Sequence, residues 1–214
     1  MTDFSPIKKA FGATGTCGID TKQLQAWIDK FGAIPKVLSD YYAELGAHEY
    51  NRTQDYLINP NEISDFTDDN YLVFYSENQS VSIWGIHKDD VIKDNPPVYE
   101  NYGEDEWFKT TDTLTEFLTS MALLQTTFSL EYSNEEYWEI NGEQADEIAK
   151  FFKTKNADSG LYTGVRFYGN YDDSVIVVMN NNDNYILMFS SSNEEHFEEM
   201  YDEIEEILGY SNDE

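Results

Sequence analysis

Residues 71–124 decide the reading of this chain. They run YLVFYSENQSVSIWGIHKDD at 71–90, DNPPVY at 94–99, Trp107, and TDTLTEFLTSMALL at 111–124. Tyr71 to Tyr75 is apolar without alternation, the pattern of a strand covered on both faces. Ser76 to Ser80 is a polar break of turn-forming residues. From Ser80 to Ile86 the chain alternates, with Val81 and Ile83 on one side and Ser82, Trp84 and Ile86 on the other. The two runs read as a hairpin with the polar break as its connection. Pro96-Pro97 then holds an extended segment. Thr113 and Glu116 form a capping box for a helix whose Leu114, Phe117, Leu118, Met121 and Leu124 share one face.

Upstream, Asp20 or Thr21 caps a helix with Leu24, Trp27, Ile28 and Phe31 on its apolar face, ended by Gly32. Pro35 opens a second helix, with Val37, Leu38, Tyr41, Tyr42 and Leu45 inward and Gly46 as its C′ residue. A short helix is expected near Pro6 to Phe11, and a strand near Tyr56 to Ile58. Downstream, 141–152 reads as a helix with Ala145, Ile148, Ala149 and Phe152 inward. Tyr162 to Tyr168, Ser174 to Met179 and Tyr185 to Ser190 read as an antiparallel meander with Asn-, Asp- and Gly-rich turns. The last helix, Glu194 to Leu208, has Phe197, Met200, Tyr201, Ile204, Ile207 and Leu208 on one face and acids on the other. The fold class is therefore α+β: a mixed, mainly antiparallel sheet with flanking helices, plus a C-terminal three-strand meander and acidic helix. Residues 1–214 read as a single α+β domain, with a core over about 20–130 and an extension over about 131–214. The best internal boundary lies near Leu130 to Asn134.

Ile34-Pro35, then Glu77-Asn78-Gln79, Trp84-Gly85-Ile86, Asp94 to Val98, Trp107 and Phe117-Leu118 fall in a telling order. That order, over about residues 20–125, resembles the SUKH superfamily, best known as bacterial immunity proteins that neutralise toxins. The resemblance implies a non-enzymatic protein-binding module whose cognate partner is a toxin. It also implies that the Glu77-Asn78-Gln79 turn builds the hairpin and does not choose the partner. Other members of the superfamily are eukaryotic regulators of cell-wall synthesis and signalling. A regulatory or scaffold protein binding a cellular partner is thus the alternative.

The formal charge of −29 argues against a nucleic acid ligand and against an anionic membrane surface. The charge is uneven: residues 1–110 carry net −10 and residues 111–214 net −19. Such a field speeds encounter with a basic partner, and a basic nuclease is the toxin it fits best. The contact residues expected first are acids flanked by aromatics in the loop Asp89 to Glu106, between the hairpin and Trp107. They are Asp89, Asp90, Tyr99, Glu100, Tyr102, Glu104, Asp105 and Glu106. Expected second is the acidic face of the last helix, with Glu195, Glu198, Glu199, Asp202 and Glu206. Trp84 and Trp107 read mainly as sheet packing.

No catalytic residue, cofactor or metal site is expected. His48, His87 and His196 lack metal-ligand spacing, and His196 reads as a surface residue. Cys17 has no nucleophile signature around it. Asp65, Asp68 and Asp69, like Asp172 and Asp173, lack the pattern of a calcium loop, and Asn180 to Asn184 reads as a hairpin turn. A single cysteine forms no internal disulfide, and neither a signal peptide nor a membrane-spanning run is recognisable. The expected location is the cytoplasm.

Overall fold

The computed structural model describes residues 2–61, 68–103, 106–156 and 160–209. The architecture is α+β, with two antiparallel sheets and six α-helices among the described residues. The chain forms two compact units, residues 1–4 with 15–118 and residues 5–14 with 119–214. The division falls after Leu118, inside α4 (Leu114–Ser129), and not at 130–134.

The first unit is a meander of β1 (Asp55–Leu57), β2 (Tyr71–Glu77), β3 (Ile83–His87), β4 (Val98–Asn101) and β5 (Phe108–Thr111), paired in that order. Strand β2 is buried from Leu72 to Ser76, as its unbroken apolar run requires. A bulge between Val73 and Tyr75 sets Tyr75 opposite Trp84. It turns Phe74 and Tyr75 to the same side, where both rings meet Phe117 of α4 edge-on. Trp84 joins them at 5.8 Å from Phe117. The hairpin turn is held by Glu77, whose Oε2 accepts from the Gln79 and Val81 amides at 2.8 and 3.2 Å. The carboxylate thus does the structural work expected of the turn.

Helices α2 (Gln25–Phe31) and α3 (Lys36–Leu45) belong to the same unit. Asp20 caps the 3-10 turn before α2, and Gly32 ends α2 with φ of 80°. Gly46 departs from expectation, because it stays right-handed at φ −61°. A Cβ there would meet the Tyr42 carbonyl oxygen at 2.6 Å, so close packing and not left-handed freedom requires the glycine. Tyr42 Oη donates to the Ile58 carbonyl at 2.6 Å and ties α3 to the chain beyond β1.

The second unit holds α1 (Ser5–Ala10), β6 (Tyr132–Ser133), β7 (Trp138–Ile140), α5 (Gly142–Phe151), β8 (Thr154–Asn156), β9 (Arg166–Tyr168), β10 (Ser174–Asn181), β11 (Asn184–Ser191) and α6 (Glu194–Leu208). The sheet order is β6-β11-β10-β9-β8, with β7 also paired to β11. The expected meander forms its centre, but its first strand covers only Arg166–Tyr168, because Leu161–Thr163 is a 3-10 turn ended by Gly164 at φ 101°. Strand β10 joins β11 through a tight turn at Asn182, φ 55°. Helix α5 begins with a complete capping box between Asn141 and Gln144. Ile148, Ile176, Phe189, Met200 and Ile204 lie in one core cluster, so the inner faces of α5 and α6 meet the sheet.

Helix α4 is buried beyond the single face that its sequence predicts: every residue from Ser120 to Thr127 is buried. Its buried polar groups stay bonded. Thr126 Oγ1 donates to the Leu123 carbonyl and accepts from Ser190 Oγ at 2.9 Å.

Candidate functional site

The segment from Asp89 to Glu106 is only partly a loop, because β4 runs through it. Asp89 and Glu106 are exposed, as is Tyr102 at 47%. Asp90 is half-buried and paired with Lys93 at 2.6 Å. Glu104 and Asp105 lie outside the described residues, as does Asp65. Glu100 contradicts the expectation of an exposed contact, with 3% exposure. The reason is strand parity. Glu100 lies opposite Trp84 and two residues beyond buried Val98, so it points to their side of the sheet. Burial pushes its carboxyl pKa up, against the pull of Tyr102, Ser82, Trp84 and Thr110. The Tyr102 hydroxyl is pushed up to about 12, by partial desolvation first and by the Glu100 charge second, although the residue as a whole is exposed.

Tyr99, one residue earlier, points to the opposite side. There the Tyr71 and Trp107 rings stack with centroids 4.0 Å apart. Tyr99 and His87 approach the Tyr71 ring edge-on at 5.7 and 5.0 Å. Gly85 forms the floor, since a Cβ there would meet Trp107 and Tyr71 at 3.2 Å. All four rings are half-buried. Acids and lysines mix around this patch: Asp89 lies 3.6 Å from His87, while Lys88 donates to Asn70 and Lys109 to Asp112. The first unit therefore offers an aromatic surface with a mixed rim, and fewer free acids than its sequence promises.

Helix α6 carries the denser charge. Asn193 caps it by accepting from the His196 amide, and Gly209 closes it at φ 74°. Glu195, Glu198, Glu199, Asp202 and Glu206 are all exposed, as expected. The helix has eight acids and no lysine or arginine. Five pairs of acids stand four residues apart, each costing roughly 0.2–0.5 kcal/mol. Burial of Met200, Ile204 and Leu208 contributes about 1.5–3 kcal/mol apiece, so docking outweighs the repulsion. Glu203 shows the crowding: burial, then Glu199 and Glu206, raise its pKa.

His196 is more than the surface residue expected. Its Nδ1 lies 2.8 and 3.0 Å from the Asp173 carboxylate oxygens, and its ring stacks on Tyr171 at 3.7 Å. Tyr171 Oη in turn donates to Glu199 at 2.5 Å. No sequence signal announces this network, since its members come from the β9–β10 connection and α6. His48 lines a cavity of about 290 Å³ with Tyr42, Glu49 and Arg52, and burial lowers its pKa. Among the described residues no three His, Cys, Asp or Glu side chains gather as a metal-binding group. No described helix is long and apolar enough to cross a membrane. No family model matches the chain, and no match to it was found among curated proteins or solved structures.

Proposed function

We propose that this chain is a cytoplasmic, non-enzymatic immunity protein of the SUKH kind that binds and blocks a basic protein toxin, a nuclease by charge. The observation that carries this reading is the outward face of α6, with five exposed acids and no cation on the helix. The ordered motifs between Ile34 and Leu118 support the family side of the reading. An acidic helix face matches the groove in which a nuclease holds phosphate, and so competes with its substrate for the same cations. Charge of this kind acts mainly on the rate of encounter and fades with salt. The aromatic patch of Tyr71, Tyr99 and Trp107 supplies apolar area to a second contact.

The test is co-purification with the product of the adjacent gene, followed by binding kinetics. Reversing Glu195, Glu198, Asp202 and Glu206 to Lys is expected to slow association at least about tenfold at low salt. Reversing Asp89 and Glu106 is expected to change it far less. Equal effects from the two sets would remove α6 from the site. Capture of a resident cellular protein with no affinity for the neighbour's product would instead favour a SUKH-like regulatory or scaffold role.

A further inference from the structure

The chain has thirteen lysine and arginine side chains against forty-two acids. Three of the thirteen, Lys9, Lys153 and Lys155, line one cavity of about 380 Å³ in the second unit. The acid in its wall, Asp172, and Asp173 next to it in sequence are already engaged. Lys9 Nζ donates to Asp172 Oδ2 at 2.7 Å, and His196 holds Asp173 through Nδ1. Lys155 Nζ donates to two neutral carbonyls, those of Tyr171 at 2.7 Å and Asp172 at 3.2 Å. An ammonium has three donors, so one N–H has no partner among the described residues. Among the described residues, neither Lys153 nor Lys155 has a carboxylate within ion-pair distance.

Lys155 reaches the cavity because Gly169 gives it room: a Cβ there would meet Lys155 Cε at 2.7 Å. Burial lowers the pKa of Lys155, against the opposing pull of Asp172 and Asp173. A partly desolvated ammonium with no bonded anion among the described residues is an unfavourable arrangement that an anionic ligand would relieve. Thr119, Thr154 and Asn170 add polar groups to the wall. Asn170 Oδ1 accepts from the Lys153 amide, which leaves its Nδ2 to donate elsewhere. The cavity is larger than a lone oxyanion needs and lies within the range of small-ligand pockets. Leu123 and the Tyr171 ring give it an apolar wall.

We propose that this cavity binds a small phosphorylated molecule, with its phosphoryl oxygens on Lys153 and Lys155 and its organic body against Leu123 and Tyr171. A chain of net −29 repels anions at long range, so saturable anion binding has to come from a local site. The test is thermal unfolding and titration calorimetry with ribose 5-phosphate, inorganic phosphate and sodium chloride at matched ionic strength. Ribose 5-phosphate is expected to raise the melting temperature saturably beyond chloride, and to bind more tightly than inorganic phosphate. K155Q and K153Q are each expected to weaken binding by about tenfold, the size of one charge-assisted hydrogen bond. Lys153 is exposed and its ammonium makes no described bond, so K153Q keeps the test valid if K155Q folds poorly. Equal binding of inorganic phosphate and ribose 5-phosphate overturns the organic-phosphate assignment. A shift no larger than that from chloride, or one unchanged in K153Q, overturns the site.

Discussion

A carboxylate with 3% exposure, as Glu100 has, makes folding depend on its proton. Its pKa is raised from 4.5, so the folded chain holds that proton more tightly than the unfolded chain does. The resulting stability is fully present below about 4.5 and is lost as pH rises through the higher folded value. E100Q has no such titration. In urea unfolding, the difference between the two proteins is expected to move in favour of the wild type as pH falls from neutral to about 4.5, then to level off. A difference constant with pH would show that Glu100 ionises as freely folded as unfolded. The burial of Glu100 was legible in principle, since Val98 and Glu100 share a parity on one strand. Reading the segment as a loop hid that alternation. The stack of Trp107 on Tyr71 over Gly85 was not legible, because three separate segments meet there and no local spacing encodes it.

Helix α6 stands on its docking and its caps. I204A is expected to cost about 2–5 kcal/mol, because Ile204 is fully buried beside Ile176 and Phe189. N193A removes the acceptor for the His196 amide and is expected to cost about 1 kcal/mol. Denaturant unfolding of both variants checks the order, and a larger loss from the cap would mean that the apolar stripe contributes little. Elements with a strong period were readable: α5 and α6 by their apolar faces, β2 by its unbroken run, β10 and β11 by the Asn-rich turn between them. The strands that the sequence does not announce are β4, β5, β6, β7 and β8, none longer than four residues. Alternation over two to four residues does not stand out from chance, and such strands owe their conformation to the neighbours they pair with. The second candidate surface was readable because acids on one face of a helix share the period of the apolar residues on the other. The lysine cavity was not, since Lys9 and Lys155 are 146 positions apart.

At the scale of the whole molecule, charge dominates. A net −29 over 214 residues opposes compaction through self-repulsion. Raising sodium chloride from about 0.01 M to 0.15 M shortens the screening length from about 30 to 8 Å. The urea midpoint is expected to rise over that range, and a midpoint independent of salt would mean that the acids are too dispersed to repel. Screening has a further consequence, because it also lowers the barrier that keeps copies of an aromatic-rich chain apart. Here the sheet borders matter. The outer strands of the first sheet, β1 and β5, have three and four residues. Those of the second, β8 on one side and β6 with β7 on the other, have two or three. Each border offers too short a row of backbone groups to template another strand, and β5 places Lys109 on its row. Among the described residues the backbone as well as the charge thus opposes fibril growth, and thioflavin fluorescence is expected to stay flat in salt that silences the acids.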